Sequence, residues 1–304
     1  MKQKTIVLTL SASFVLLMSM TSCGDSGTTE NSIESDLMET DSLIEEVVSE
    51  DDIFDLIETF PTPVEMAMVI KNGNHDFSSD MLLSAEGLEK FATSYDKAIA
   101  LGAYGADMGY LNIYHKIFLI PDYLIATRTL SKDLDLDNFF DFDTMLELAK
   151  NSDNIDSLIH MSTESFNDME AYLRDQGRDE LSLLIVFGTW LEGSTVIAQI
   201  AKSAKSKDLY DRIAEQKIFV HELVGIFGFS DDPQFNELAD KMNDLARLYQ
   251  YIVIDEVFNE PTIIENADGT VTYIDNTELV IEASAEDIEN IIEETIKLRN
   301  ELLN

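Results

Sequence analysis

Cysteine is almost missing from this chain of 304 residues: there is one, Cys23, and none after it. Everything beyond that position is thereby denied disulfides, thiol nucleophiles and zinc–thiolate centres, so stability must come from an apolar core. Proline (5) and glycine (13) are scarce too, which leaves little punctuation between domains in a chain long enough for one large domain or two small ones. Basic residues are few, with 20 Lys and Arg against 59 Asp and Glu, a formal charge of −39 spread along the chain. Such a surface repels phosphate backbones and excludes nucleic acid as a partner. It keeps a secreted protein soluble, and it can also collect cations or meet a basic partner. A Gly-rich phosphate loop, a GxSxG elbow, a dinucleotide fingerprint and a repeat of fixed period are all absent, so no cofactor is expected.

What is present begins with an address. Lys2 and Lys4 precede an apolar stretch from Thr5 to Met20, followed by Met20-Thr21-Ser22-Cys23-Gly24-Asp25. A short basic start, an apolar run diluted by serine and threonine, and small residues before a cysteine form a signal peptide in its usual order. The run is shorter than the roughly 20 residues a spanning helix needs. These residues resemble the lipobox of bacterial lipoproteins, with Met20 standing where leucine is more usual. The resemblance implies cleavage after residue 22, a lipid on Cys23 and a cell-envelope protein held to a membrane by that lipid. Gly24 rather than an aspartate after the cysteine favours the outer membrane over the inner one. Residues 23–41 are acidic, small and poor in aliphatics, the composition of a flexible tether. Gly24-Asp25-Ser26-Gly27 looks like the nucleophile segment of chymotrypsin-like proteases, but it sits in this tether with no strand pattern to build the barrel.

From Ser42 onward the apolar spacing is helical, so residues 42–304 are read as a single, mainly α domain: an irregular multi-helix bundle or array with one small C-terminal β-hairpin before the last helix. Leu43 to Ile57 describe a first helical face ended by Pro61, and Thr62-Pro63-Val64-Glu65 forms a capping box for a short helix stopped by Gly73. Further helices are predicted from Ser84 to about Leu101, Tyr104 to Lys116, Pro121 to Leu130, Asp143 to Lys150 and Asp153 to Gly177. Leu181 to Ala204 is the most apolar stretch; Glu192 at its middle makes it a buried core helix rather than a transmembrane one. Helices from Asp208 to Ile226 and Asp232 to Phe258 follow, the latter with a break near Asp255. Between Pro261 and Ile281, Asp268-Gly269 separates β-branched runs, a hairpin signal, and Ser284-x-x-Asp287 caps a final helix.

Two helical segments contain glycines that should weaken them: Gly102, Gly105 and Gly109 in one, Gly188 and Gly193 in the other. Each costs about 1 kcal/mol against alanine, and close helix packing is the direct compensation. The same approach could shape a pocket lined by Tyr104, Asp107, Tyr110, Tyr114, Trp190 and Glu192. Asp107 and Glu192 would then be carboxyls in apolar surroundings with raised pKa values, suited to binding or acid–base work. Pro61-Thr62-Pro63-Val64-Glu65, LGAYGAD at 101–107 and WLEG at 190–193 together resemble uncharacterised all-helical lipoproteins of the Bacteroidota. That resemblance covers most of the mature chain. It implies a helical fold and an envelope location, and carries no activity with it.

Metal signals are weak. Asp133-Leu134-Asp135-Leu136-Asp137-Asn138 has a calcium loop's alternating acids, but Asn138 and Thr144 occupy the positions of its glycine and bidentate glutamate, so a solvated interhelix loop is favoured. In the stretch around Asn266-Ala267-Asp268-Gly269, Ile264 takes the first ligand position. His221-Glu222-Leu223-Val224-Gly225 misses the second histidine of a zinc protease. Asp156, His160 and Glu164 share a helix face and could share a metal, although such stripes are more often the wet side. The leading expectation is a non-enzymatic, lipid-anchored helical domain that binds a small ligand or another envelope protein. The alternative is a hydrolase or other enzyme using Asp107 and Glu192 or a weakly bound cation.

Overall fold

The computed structural model describes Ile70 and residues 75–150, 154–259, 261–265, 271–274, 276 and 278–304. The leader, Cys23, the tether and, Ile70 apart, the helices predicted before Gly73 lie outside the described residues, as does the Asp268-Gly269 turn. The described chain is mainly α: α1 (Ser94–Ile113), α2 (Ile120–Asp133), α3 (Phe142–Leu148), α4 (Ile155–Asp175), α5 (Asp179–Ala204), α6 (Lys207–Ala214), α7 (Lys217–Phe229), α8 (Pro233–Leu248) and α9 (Ala285–Leu303). Four short strands lie between α8 and α9: β1 (Val253–Val257), β2 (Thr262–Glu265), β3 (Val271–Ile274) and β4 (Glu278–Glu282).

Local chemistry sets most boundaries. Thr93 and Asp96 make a reciprocal capping box at the start of α1, and Ser284 and Asp287 repeat it on α9. Pro121 and Pro233 sit in the first turns of α2 and α8, where a missing N–H costs nothing. Gly177 ends the turn after α4 with φ +61°, a conformation that other residues adopt at a cost.

Three segment boundaries differ from the sequence reading. The helices expected on either side of Gly102 are one, and they start ten residues later than Ser84 because Gly87 takes φ +78° and Thr93 caps. The glycines do not interrupt α1; they are where another helix lies against it. The helix expected from Asp208 to Ile226 is two, α6 and α7, joined through Glu215 and Gln216. Beyond Leu248 the chain leaves the helix through a short 3-10 turn at Tyr249–Tyr251 and becomes β1, so Asp255 lies in a strand.

The helices α1 to α8 and α9 belong to one compact unit, and the described residues between 255 and 280 to a second. In the second unit β2 and β3 pair antiparallel, Thr262 opposite Ile274 and Glu265 opposite Val271, as a hairpin signal over this stretch predicts. β1 pairs with β4. The apolar side chains of Val257, Phe258 and Ile263 stay exposed, so this stretch adds little burial of its own.

At the centre of the helical unit α1 crosses α5, with α2 on α1 and α9 on α5. α5 is long and apolar enough to cross a membrane, yet 94% of its most apolar 18-residue stretch is buried inside the protein. Trp190, Phe187 and Leu191 of α5 and Tyr104, Leu101 and Leu111 of α1 are fully buried, as the reading of α5 as a core helix requires.

Candidate functional site

The α1–α5 crossing is closer than ordinary side chains allow. A Cβ built on Gly102 would lie 1.9 Å from the carbonyl oxygen of Ile185, and one on Gly188 would lie 1.9 Å from that of Ile99. The two backbones therefore touch. Thr189 seals the contact by donating its hydroxyl to the carbonyls of both Gly102 (3.1 Å) and Ile185 (3.0 Å).

This approach brings Asp107 of α1 beside Glu192 of α5, both with no exposed surface. Glu192 accepts two hydrogen bonds from Arg299 of α9, Nε to Oε2 at 2.8 Å and Nη2 to Oε1 at 2.9 Å, a bidentate buried pair. Asp107 Oδ2 accepts the backbone N–H of Leu83 at 3.0 Å, while Oδ1 has no N–H or hydroxyl donor. Both Glu192 oxygens face the guanidinium, whereas Asp107 has no cationic partner of its own and feels the negative charge of Glu192, so Asp107 is the more readily protonated of the two.

The electrostatics agree. Burial, and next the negative charge of Glu192, hold the Asp107 pKa well above the usual carboxylate range. Burial also raises Glu192, opposed by the hydrogen bonds and charge of Arg299. A neutral Asp107, an anionic Glu192 and a cationic Arg299 leave no net charge in the core, the arrangement that a low-dielectric interior tolerates best.

The pH response follows from the sign of the shift. A carboxyl with a raised folded pKa binds its proton more tightly folded than unfolded, so between the unfolded value of 3.8 and the raised one, stability falls as pH rises. Asp107→Asn keeps the shape, accepts from Leu83 and donates to Glu192 without titrating. Urea denaturation should therefore find the variant close to the parent near pH 4 and more stable than it at pH 8, by about 1 kcal/mol or more. Equal stability at both values would mean that Asp107 is ionised in the fold.

The tyrosines expected to line a pocket do lie around this cluster, and they grip the chain's own backbone. Tyr104 donates to the Ser84 carbonyl (2.5 Å), Tyr114 to the His75 carbonyl (2.6 Å), and Tyr110 accepts the Ser78 N–H (3.3 Å). Phe77 stacks on Tyr110 with ring centroids 5.3 Å apart. The hydroxyls of these three tyrosines are thus taken up by the backbone of residues 75–84. Trp190 belongs elsewhere: its indole N–H donates to Gln216 at 3.0 Å, and its ring lies against Phe187 and Phe219.

Two participants escape the sequence reading. Tyr123 of α2 donates to the Leu83 carbonyl at 2.7 Å. Arg299 was legible in principle, for it stands seven residues after Ile292 on the apolar stripe of α9, where a cation needs a buried partner.

The metal candidates do not converge. His160 and Glu164 form an exposed pair 3.7 Å apart, Asp156 is exposed, and no group of three metal-ligating side chains occurs among the described residues. The Asp133–Asn138 stretch is an interhelix loop: Asp133 pairs with Lys97 at 2.7 Å, Asp135 turns the chain at φ +59°, and Asp137 opens a 3-10 turn.

A second feature faces solvent. α7 and α8 flank an open groove of about 540 Å³, with Val224, Gly225, Gly228 and Phe229 on the α7 side and the polar Asn236, Asp240 and Asn243 beside Ala239 on the α8 side. Phe229 is 52% exposed, and Ile218 on the same helix is 62% exposed. Comparison with protein-family models, with curated proteins and with solved structures finds no match to this chain.

Proposed function

We propose that this chain is a lipid-anchored cell-envelope protein that works by binding a partner on its helical surface, not by chemistry in its core. The observation that carries the binding half is the contrast between its two concavities. The titratable groups around Asp107 and Glu192 are committed to one another and to residues 75–84, whereas the α7–α8 groove is open, lined by apolar and polar side chains together, and covered by no described residue. An open groove that offers apolar contact beside a few polar groups is a usual form of a recognition surface.

The anchoring half rests on Lys2, Lys4, the apolar run and Thr21-Ser22-Cys23. One diacylglyceryl-bearing residue and an acidic tether through Asp41 would hold the helical unit a few nanometres from a bilayer, on the outer membrane by the Gly24 criterion. Cells fed a palmitate analogue should label the parent chain and retain it with membranes, and Cys23→Ala should lose both label and membrane association. A parent chain that keeps Met1 and an unmodified thiol would remove the anchor.

A further inference from the structure

Residues 75–84 lie on α1 and α2 as a strap that is fastened by side chains. Among the described residues, its main-chain hydrogen bonds stay within the 3-10 turn at Ser79–Met81. The bonds that tie its backbone to the helices come from four phenols and one carboxyl, those of Tyr104, Tyr110, Tyr114, Tyr123 and Asp107. Leu83 is gripped on both sides: its carbonyl accepts from Tyr123 at 2.7 Å, its N–H donates to Asp107 at 3.0 Å, and the residue is 1% exposed. Asp107 therefore belongs at once to the buried charge cluster and to the fastening of the strap.

We infer that residues 75–84 form a pH-operated strap, closed on α1 and α2 while Asp107 is neutral and lifted when Asp107 gives up its proton. Charge counting supplies the drive. With Asp107 neutral, Glu192 and Arg299 cancel; with Asp107 ionised, two anions share one guanidinium out of reach of solvent. The N–H of Leu83 and the charge of Arg299 offset part of that cost, but Asp107 Oδ1 has no donor. Water is the donor an ionised Asp107 needs, and the packing decides where it enters. α1 and α5 meet backbone to backbone at Gly102 and Gly188, and α9 is clamped to α5 by the Arg299–Glu192 pair, whereas the strap is retained by side-chain hydrogen bonds and two buried leucines. Opening presents Asp107 and the four phenols to solvent, a surface that the closed chain withholds. The inference goes beyond the binding role proposed above and stands with or without the lipid.

The other groups around Asp107 do not supply the switch. Burial holds the phenols of Tyr104 and Tyr110 on α1 and of Tyr123 on α2 above their ordinary range, so they stay neutral through pH 8. Glu192 of α5 faces Arg299 of α9, which stays cationic, with Lys90 as the next cation beyond it. The strap itself carries His75, Asp76 and Asp80. The closed form binds the Asp107 proton more tightly than the open form does. Closure is thus strongest below the ordinary aspartate value of 3.8 and weakens as pH rises toward the raised value of the closed form. Across that window the ratio of open to closed strap should grow roughly tenfold per pH unit.

Hydrogen exchange of the purified full chain, followed by mass spectrometry between pH 5 and pH 8 with rates divided by the intrinsic rate at each pH, tests this. In the parent, the opening constant of the peptide spanning 75–84 should rise at least about tenfold over this range. It should also exceed that of the α5 peptide around Glu192 by at least about tenfold at every pH, the mark of a local opening and not of global unfolding. Asp107→Asn should make the strap's opening constant independent of pH; it keeps His75, Asp76 and Asp80, so any response of theirs survives in the variant. Tyr123→Phe, which leaves the cluster intact and removes one fastening, should raise the constant several-fold at every pH with the parent's slope. The inference is overturned by a flat parent profile, by a rise that Asp107→Asn retains, by a strap that exchanges only together with α5, or by a Tyr123→Phe strap as tight as the parent's.

Discussion

Arg299→Met should lower the free energy of unfolding at neutral pH by about 3–5 kcal/mol, the cost of stripping a buried ion of its counter-charge. Glu192 has no exposed surface and the Arg299 side chain is 7% exposed, so water cannot replace the lost donors without opening the core. Two hydrogen bonds go at once, and the carboxyl beside Glu192, Asp107, supplies no positive charge to replace them. The variant folds only by protonating Glu192. That makes the defect pH-dependent: it should be small near the unfolded glutamate value of 4.5 and grow as pH rises above it. The double variant Arg299→Met, Glu192→Met should regain most of the loss, because a vacated ion pair replaced by apolar groups of similar volume is close to neutral. Urea titrations at pH 5 and pH 8 on the parent and the two variants decide it. A single-variant loss below about 1 kcal/mol at pH 8 would mean that the pair is wetter than its burial indicates.

Gly188→Ala is expected to cost about 3 kcal/mol or more, beyond the usual range for one added methyl group. The new Cβ would sit 1.9 Å from the Ile99 carbonyl oxygen, and backbone cannot swing aside as a side-chain tip can. α1 and α5 would have to separate, loosening the burial of Leu101, Tyr104 and Phe187 along their length. Gly102→Ala should behave alike, with Ile185 as the obstacle. Gly105→Ala is the milder comparison, because its obstacle is the Phe166 ring, 2.9 Å away, which can rotate. Equal stabilities for all three in guanidinium unfolding would show that the helices are not held in contact.

How much of this was legible depends on range. Thr93–Asp96 and Ser284–Asp287 act within one turn, and α9 emerges at the start its capping box announces; that of α1 is equally local. Asp107 and Glu192 could be singled out because each is an acid in an apolar helix, an imbalance visible along a single segment. Arg299 is out of place on the apolar stripe of α9 in the same way, but its partner, 107 positions away, is not legible from that segment. The same holds for residues 75–84: nothing local shows that Tyr104, Tyr110 and Tyr114 spend their hydroxyls on that backbone rather than on a ligand. The apparent break at Gly102 misled because glycine has two uses in a helix, to end it or to thin it, and only the partner helix distinguishes them.

The buried pair also constrains the order of events during synthesis. A chain emerging amino-terminus first carries Glu192 for 107 residues before its guanidinium appears. Until then α5 can pack only by neutralising or hydrating that acid, so the nascent segment has a reason to stay loose. Once Arg299 has been made, α9 locks the interior.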